Sequence, residues 1–159
     1  MIRVREWMTS PIVSIKPRDT ILHARELMEK QRINQLPVVV RGRLVGIITD
    51  RDLRDAFPSI LNILGRRRRS RRRPSASAGE IPVEEVMTRN VLTLPPDGTI
   101  DHAAQLIRRE RIGAVPIVEK GKVVGILTRS NLLDACTRLV EELRILTRPS
   151  APVELVRET

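Results

Sequence analysis

Two short segments of the chain pair a threonine with a polar residue three positions later. Thr49 and Asp52 stand in GIITDRDLRDA, residues 46–56, and Thr128 and Asn131 stand in a second copy, GILTRSNLLDA. A carboxylate accepts two hydrogen bonds from neighbouring hydroxyl groups, so Asp52 has the chemistry to hold a vicinal diol such as that of a ribose. The same spacing fits a helix start, with Thr49 as N-cap and Asp52 as its capping-box partner. The two interpretations are compatible.

The second copy has an amide where the first has a carboxylate. Asn131 is able to cap a helix, but it lacks the charge that makes a hydrogen bond roughly twice as strong. A helix that begins after each threonine also favours a phosphate group at its N-terminus. We therefore predict two unequal ligand sites, of which the one using Thr49 and Asp52 binds better.

The two segments belong to a longer internal repeat. Shifting the sequence by 79 positions lays residues 8–57 on residues 87–136 without a gap, and about 20 of the 50 pairs are identical. Two copies of one supersecondary unit account for this similarity. A unit of about 50 residues buries little surface alone, whereas two units can share a core. We predict an α+β fold of two pseudo-symmetric β-α-β-β-α repeats packed as one module.

The same order of elements is predicted in each copy. A short strand (residues 12–15, 91–94) precedes a helix with one apolar face, a hairpin with a glycine in its turn, and a final helix. In the first copy the first helix spans about residues 20–31, with Ile21, Ala24 and Met28 on its apolar face. In the second copy that face carries Ile100, Ala103, Ala104 and Ile107.

Composition changes mark the predicted domain boundaries. We assign residues 1–65 to the first repeat with a last helix extended to Gly65, residues 66–80 to a flexible arginine-rich linker, residues 81–137 to the second repeat, and residues 138–159 to a C-terminal helix and tail. The net charge of +10 is concentrated in the linker. Without its seven arginines the rest of the chain is close to balanced.

The arginine run offers an alternative function. Its guanidinium groups have the charge to neutralise phosphates of a nucleic acid or another polyanion, and they are Arg66, Arg67, Arg68, Arg69, Arg71, Arg72 and Arg73. The chain is only 1% aromatic, so base stacking is not supported. The other interpretation of the run is a solvated linker without a ligand.

Other chemistry is weakly represented. No Ser-His-Asp, Cys-His or paired-carboxylate pattern is present, so we expect no enzyme activity. His23 and His102 are expected on solvated helix faces, without a metal site, and Cys136 is expected as a small buried thiol. Trp7 is expected in the core or in a dimer contact. No apolar run is long enough to span a bilayer and the start lacks a signal peptide, which favours the cytoplasm.

The repeated pattern resembles the cystathionine-beta-synthase (CBS) domain, and the whole chain is similar to a tandem CBS pair, or Bateman module. The resemblance rests on four motifs in the same order in both copies: Met-Thr, hydrophobic-Pro-hydrophobic (Leu36-Pro37-Val38), Gly-x-hydrophobic-hydrophobic-Gly (Gly42 to Gly46), and Thr-x-x-Asp or Asn. It covers about residues 4–57 and 83–136. Small stand-alone bacterial proteins of the acetoin-utilisation type are similar.

The resemblance implies a regulatory sensor that binds AMP, ADP, ATP or S-adenosylmethionine between the repeats, with no required cofactor. It also implies a homodimer and an unidentified protein target, and a ligand-free dimerisation scaffold is a further alternative. Carried over to this sequence, the better site combines Thr49, Asp52, Asn34 and Gln35 with Thr88, Leu92, Thr93, Ile112, Gly113 and Ala114. The weaker site combines Thr128, Asn131, Gly113 and Ala114 with Thr9, Val13, Ser14, Ile33 and Asn34.

Nucleotide-sensing relatives often have basic residues at the positions of Asn34 and Gln35. Here those residues are neutral, and their counterparts Gly113 and Ala114 are neutral too. A strong hold on a di- or triphosphate therefore depends on Arg51, Arg129 or the arginine run.

Overall fold

The structure is a computed structural model, and it describes residues 2–56 and 80–146. Each repeat forms a helix, an antiparallel hairpin and a second helix. The elements of the first repeat are α1 (Ile21–Gln31), β1 (Gln35–Val40), β2 (Arg43–Thr49) and α2, described over 50–56. Those of the second are α3 (Ile100–Arg109), β3 (Ala114–Glu119), β4 (Lys122–Thr128) and α4 (Arg129–Leu146). The predicted helix extension to Gly65 and the arginine run lie outside the described residues.

The first helix of each repeat begins after a threonine and buries one face. The Thr20 side chain accepts a hydrogen bond from the His23 backbone N–H at 3.1 Å, which satisfies a donor at the start of α1. The predicted face of α1 is confirmed, because Ile21, Ala24 and Met28 are buried. In α3 the buried residues are Ala103, Leu106 and Ile107. His23 and His102 are both exposed.

The two hairpins have the same tight turn. Arg41 and Gly42 have φ angles of 50° and 81°, and Lys120 and Gly121 have φ angles of 49° and 77°. Positive φ at both central residues suits the right-handed twist of the strands, and glycine reaches that region without strain. Each first strand has an irregularity at its centre, between Val38 and Val39 in β1 and at the matching place in β3. The predicted hairpins are confirmed.

The predicted strands at 12–15 and 91–94 are wrong, because each is reduced to one parallel bridge, Ile15 to Val38 and Leu94 to Ile117. In the first repeat the Ile15 N–H donates to the Pro37 carbonyl oxygen at 3.0 Å, and the Val39 N–H donates to the Ile15 carbonyl oxygen at 2.9 Å. The next donors on either side would be Pro37 and Pro17, which have no N–H. Pro116 and Pro96 occupy the same places in the second repeat.

The opening segment of each repeat packs into the core of the other. The first core, which includes Ile21, Leu36 and Ile48, also contains Val83 and Met87. The second core contains Val4, which is completely buried, together with residues of α3, β3 and β4. Backbone hydrogen bonds fix the exchange: the Val4 N–H donates to the Gly98 carbonyl oxygen, and the Val83 N–H donates to the Asp19 carbonyl oxygen, both at 2.8 Å. Neither core is built from one repeat alone.

The Met-Thr motif and the last glycine of the glycine motif meet across this exchange. Thr88 pairs with Ile47 in β2, and Thr9 pairs with Ile126 in β4. A Cβ atom at Gly46 would lie 2.5 Å from the Met87 Sδ and 3.0 Å from the Thr88 carbonyl oxygen. Gly125 is in the same position against Met8. Each Met-Thr motif therefore requires a glycine in the strand it contacts, because a larger side chain there would overlap the methionine.

Replacing Gly46 with alanine is expected to destabilise the protein by about 1–3 kcal/mol, because the added methyl overlaps the buried Met87 and a backbone oxygen. Urea unfolding measures the change. Gly113→Ala is the matched control, since its Cβ would meet only the Gln35 Oε1, at 3.3 Å. Shortening the opposed side chain by Met87→Ala should cost less in the Gly46→Ala background than in the wild type. Additive costs would contradict the contact.

The last helix, α4, continues without a break across the predicted boundary between residues 137 and 138. It exposes several apolar side chains to solvent. Ala135 is buried and Leu132 packs on the second core, but Leu133 is 68% exposed. The prediction of a buried Cys136 is wrong, since its side chain is exposed on the same helix. Trp7 packs against the second core, with the Arg138 guanidinium 5.7 Å from its ring centre.

Candidate ligand-binding cleft

Thr49 and Asp52 form a reciprocal cap at the start of α2. The Asp52 Oδ2 accepts hydrogen bonds from the Thr49 N–H at 2.8 Å and from the Thr49 hydroxyl at 2.7 Å. The Asp52 N–H donates to the Thr49 Oγ1 at 3.2 Å. The predicted capping role is confirmed. Within the described residues the other carboxylate oxygen, Oδ1, accepts no hydrogen bond, so it retains the capacity to bind a hydroxyl group.

Thr128 and Asn131 make the same cap at the start of α4. The Asn131 Oδ1 accepts from the Thr128 N–H and from its hydroxyl, both at 2.9 Å, and the Asn131 N–H donates to the Thr128 Oγ1 at 3.3 Å. The Asn131 Nδ2 also donates to the Thr9 Oγ1 of the first repeat at 3.4 Å. A carboxylate has no such donor, and no hydrogen bond joins the side chains of Asp52 and Thr88 in the described part of the chain.

The first cleft is a cavity of about 610 Å³ between the two repeats, large enough for a small-molecule ligand. Nine of the ten residues predicted for the better site line it: Thr49, Asp52, Asn34, Gln35, Thr88, Leu92, Ile112, Gly113 and Ala114. Thr93 does not line it and is exposed to solvent. The exchange of opening segments explains the composition of the cleft, because it brings Thr88 beside β2.

The cleft also contains charged residues from both repeats. Arg51 and Arg129, considered above as phosphate contacts, both line it. Residues that the sequence did not point to are Ile47, Asp50, Arg54, Asn90, Val91, Glu110 and Arg111. A signal for Arg54 was available, because it lies about one helical turn after Arg51. Likewise, Arg111 directly precedes the predicted Ile112-Gly113-Ala114 segment.

The residues predicted for the weaker site differ in their contacts and in their exposure to solvent. Thr9 and Asn131 are joined by the hydrogen bond described above. Val13 and Ile33 pack against the first core, and Ser14 is exposed. A hydrogen bond between the repeats is therefore present at the position where the first cleft has a carboxylate oxygen without a partner among the described residues.

Two further properties concern only residues 2–56 and 80–146. No group of three or more histidine, cysteine, aspartate or glutamate side chains there is arranged to hold a metal ion. No helix in these ranges has the length and hydropathy needed to cross a membrane.

Sequence comparison finds relatives of similar and of greater length. The chain is 30% identical over 132 residues to the CBS domain-containing protein YhcV of Bacillus subtilis, covering 83% of this chain and 84% of that protein. It is 28% identical over 131 residues to an inosine-5′-monophosphate dehydrogenase of Korarchaeum cryptofilum, covering 82% of this chain but only 23% of the dehydrogenase. The chain is thus similar to a short protein and to part of a longer enzyme.

Three solved structures share the fold over nearly their full length. An acetoin utilisation protein (AcuB) from Vibrio cholerae has a TM-score of 0.75 and 30% identity, covering 94% of this chain and 99% of that chain. CBSX2 in complex with AMP has a TM-score of 0.72 and 26% identity, with coverage of 88% and 99%. The CBS domain pair of MJ0100 in complex with 5′-methylthioadenosine and S-adenosyl-L-methionine has a TM-score of 0.69 and 29% identity, with coverage of 90% and 98%.

The family model of the CBS domain matches the chain twice, at residues 4–59 and 83–138. These matches coincide with the two repeats, and the capped threonines and exchanged opening segments occur in both. The chain belongs to the CBS domain family and consists of a tandem pair of CBS domains.

Proposed function

We propose that this protein is a regulatory module that binds an adenosine-containing ligand in the first cleft. The observation that carries the proposal is the Asp52 carboxylate, which faces a cavity lined by both repeats and keeps one oxygen without a hydrogen-bond partner in the described chain. An oxygen of this kind is suited to a ribose diol. One structural relative is in complex with AMP and another with 5′-methylthioadenosine and S-adenosyl-L-methionine, which supports the assignment.

The remaining lining suits the base and the sugar. Leu92 and Ile112 offer apolar surface for a flat ring, and Gly113 leaves space between the repeats. In this arrangement the ligand contacts α2 of the first repeat and the Thr88 segment of the second. Binding then stabilises one relative orientation of the repeats, and a partner that recognises this orientation responds to the ligand concentration.

A second copy of the chain is the proposed immediate partner. Leu133, Leu143 and Ile145 are strongly exposed on α4, as is Val140 in part, and apolar patches of this kind commonly form contacts between chains. A homodimer through α4 would carry the change in orientation from one chain to the other. Light scattering of the wild type and of Leu133→Glu distinguishes a dimer from a monomer.

The ligand proposal is tested by isothermal titration of the full chain with AMP, ADP, ATP and S-adenosylmethionine. We expect saturable binding of at least one of them. A leucine at Gly113 would extend from a Cβ only 3.3 Å from the Gln35 Oε1, so Gly113→Leu should obstruct the cleft and abolish binding. Glu119→Leu, at the exposed end of β3 and outside the lining of the cleft, is the control for binding. No binding of any of the four compounds would overturn the proposal.

A further inference from the structure

Four arginines surround the first cleft, two from each repeat. Arg51 and Arg54 lie on α2, Arg111 lies in the loop between α3 and β3, and Arg129 begins α4. Shifted by 79 positions, their counterparts are Ser130, Leu133, Arg32 and Asp50. Only one counterpart is an arginine and another is an acid. The equivalent positions of the two repeats therefore do not carry the same four positive charges.

Two of these arginines have carboxylate partners on α2. Arg54 pairs with Asp50 at 3.1 Å, which neutralises one acid of the cleft. Arg51 lies 3.9 Å from Asp55, and both side chains are highly exposed, at 85% and 76%. A pair so long and so solvated contributes little, and an incoming anion is able to replace it.

The other two arginines have no carboxylate partner in the described residues. The Arg129 Nε donates to the Ile112 carbonyl oxygen at 3.1 Å, which orients the side chain and leaves its terminal nitrogens for another acceptor. The Arg111 guanidinium makes neither an ion pair nor a hydrogen bond within the described chain. Its neighbour Glu110 is paired with Arg109 at 2.7 Å.

The acids of the cleft therefore do not cancel its positive charge. Asp50 and Glu110 are both paired with arginines, which leaves Asp52, capped only by uncharged groups, as one negative charge against Arg51, Arg111 and Arg129. What remains is a positive wall from the second repeat, Arg111 and Arg129, together with the weakly held Arg51. Guanidinium groups bind phosphate oxygens in pairs and repel cations.

We propose that the first cleft selects adenosine ligands that carry phosphate over those that do not. This inference rests on the proposed function and names the chemical class of its ligand. A phosphate at the wall of Arg111 and Arg129 is neutralised there while the ribose is held by Asp52. Neutral 5′-methylthioadenosine lacks the anion, and S-adenosylmethionine, whose sulfonium and ammonium outweigh its one carboxylate, carries a net positive charge that the same wall repels. These arginines differ from the positions of Asn34 and Gln35, where relatives often have basic residues.

The test compares six compounds on the full chain by isothermal titration: ATP, ADP, AMP, adenosine, 5′-methylthioadenosine and S-adenosylmethionine. We expect the phosphorylated compounds to bind at least about tenfold more tightly than the other three, a difference of about 1.4 kcal/mol. Their affinities should also fall between about 50 and 200 mM salt, because surface charge is screened. Equal affinity for AMP and S-adenosylmethionine would overturn the inference.

Two variants locate the effect. Arg111→Asn and Arg129→Gln should each weaken AMP or ATP binding about tenfold and leave adenosine affinity unchanged. Arg32→Asn is the matched control, because Arg32 and Arg111 both have a φ of 54° and asparagine tolerates that conformation. Circular dichroism of each variant confirms folding, and the comparison of compounds on the wild type needs no variant.

The outcomes separate the two proposals. Binding of all six compounds with similar affinity, abolished by Gly113→Leu, would overturn the selection for phosphate and retain the adenosine site. The same conclusion would follow if Arg111→Asn and Arg32→Asn had equal effects. No binding of any compound would overturn both proposals.

Discussion

Replacing Asp52 with asparagine is expected to weaken the ligand about 30-fold while the fold stays intact. At Asn131 the amide oxygen makes the capping hydrogen bonds, so in Asp52→Asn an uncharged NH2 group, which cannot accept a hydrogen bond, takes the place of the free carboxylate oxygen. The loss of two charge-assisted hydrogen bonds to a diol, each worth about 1 kcal/mol more than a neutral one, corresponds to about 30-fold. Isothermal titration at constant salt measures the change. Asp52→Ala, which removes every hydrogen-bonding group of the side chain, should lose about 100-fold.

The chain provides its own control for this substitution. Asn131 makes the same three capping hydrogen bonds, between 2.9 and 3.3 Å, as Asp52 makes between 2.7 and 3.2 Å. Asp52→Asn should therefore change the free energy of unfolding by only about 0.5 kcal/mol. A large loss of stability would mean that the carboxylate serves the fold, and unchanged affinity would refute its role in binding.

The reciprocal substitution tests the inequality of the two sites. Asn131→Asp removes the amide donor to Thr9 and places a carboxylate between the repeats in the second position. We expect affinity at the first cleft to stay within about threefold, and any additional binding event to be weaker. If Asn131→Ala reduced affinity as much as Asp52→Ala does, the predicted asymmetry would be wrong.

The sequence predicted the parts of the fold that depend on interactions between residues close together in the chain. The helix face of Ile21, Ala24 and Met28, the glycine turns and the Thr49–Asp52 cap each depend on residues within a few positions, and the structure has all three. The extended segment at 12–15 has strand-like alternation, but its hydrogen bonds depend on a partner strand. Pro17 and Pro37 interrupt that pairing on both sides, a restriction visible only once the partner is known.

The sequence predicted most of the residues that line the candidate site, but not the full set of its charged residues. The resemblance to CBS pairs supplied the lining from both repeats, and nine of ten residues lie in the cleft. Arg54 and Arg111 were missed although each lies near a predicted residue in the sequence, because that proximity alone does not distinguish a solvated arginine from one that faces a cavity. Cys136 was misplaced for a related reason: the apolar stripe on α4 covers two faces, and only the face with Ala135 is buried.

Replacing Val4 with aspartate is expected to destabilise the protein by about 4 kcal/mol or more, because Val4 is completely buried and a carboxylate there has no partner. Thermal unfolding measures the loss. Val40→Asp, at a position that is 41% exposed, is the control and should change stability by about 0.5 kcal/mol or less.

The location of the damage tests the exchange between repeats. Val4 belongs to the first repeat in sequence but to the second core in structure, so amides of Val115 and Leu127 should lose hydrogen-exchange protection before those of Leu36 and Ile48. Val83→Asp should reverse this order. If the aspartate variants do not fold, Val4→Ala and Val83→Ala give the same comparison at a smaller cost. Loss of protection first in the repeat that carries the substitution would show that each core is closed by its own opening segment, and Thr88 would then not be delivered to the cleft beside Asp52.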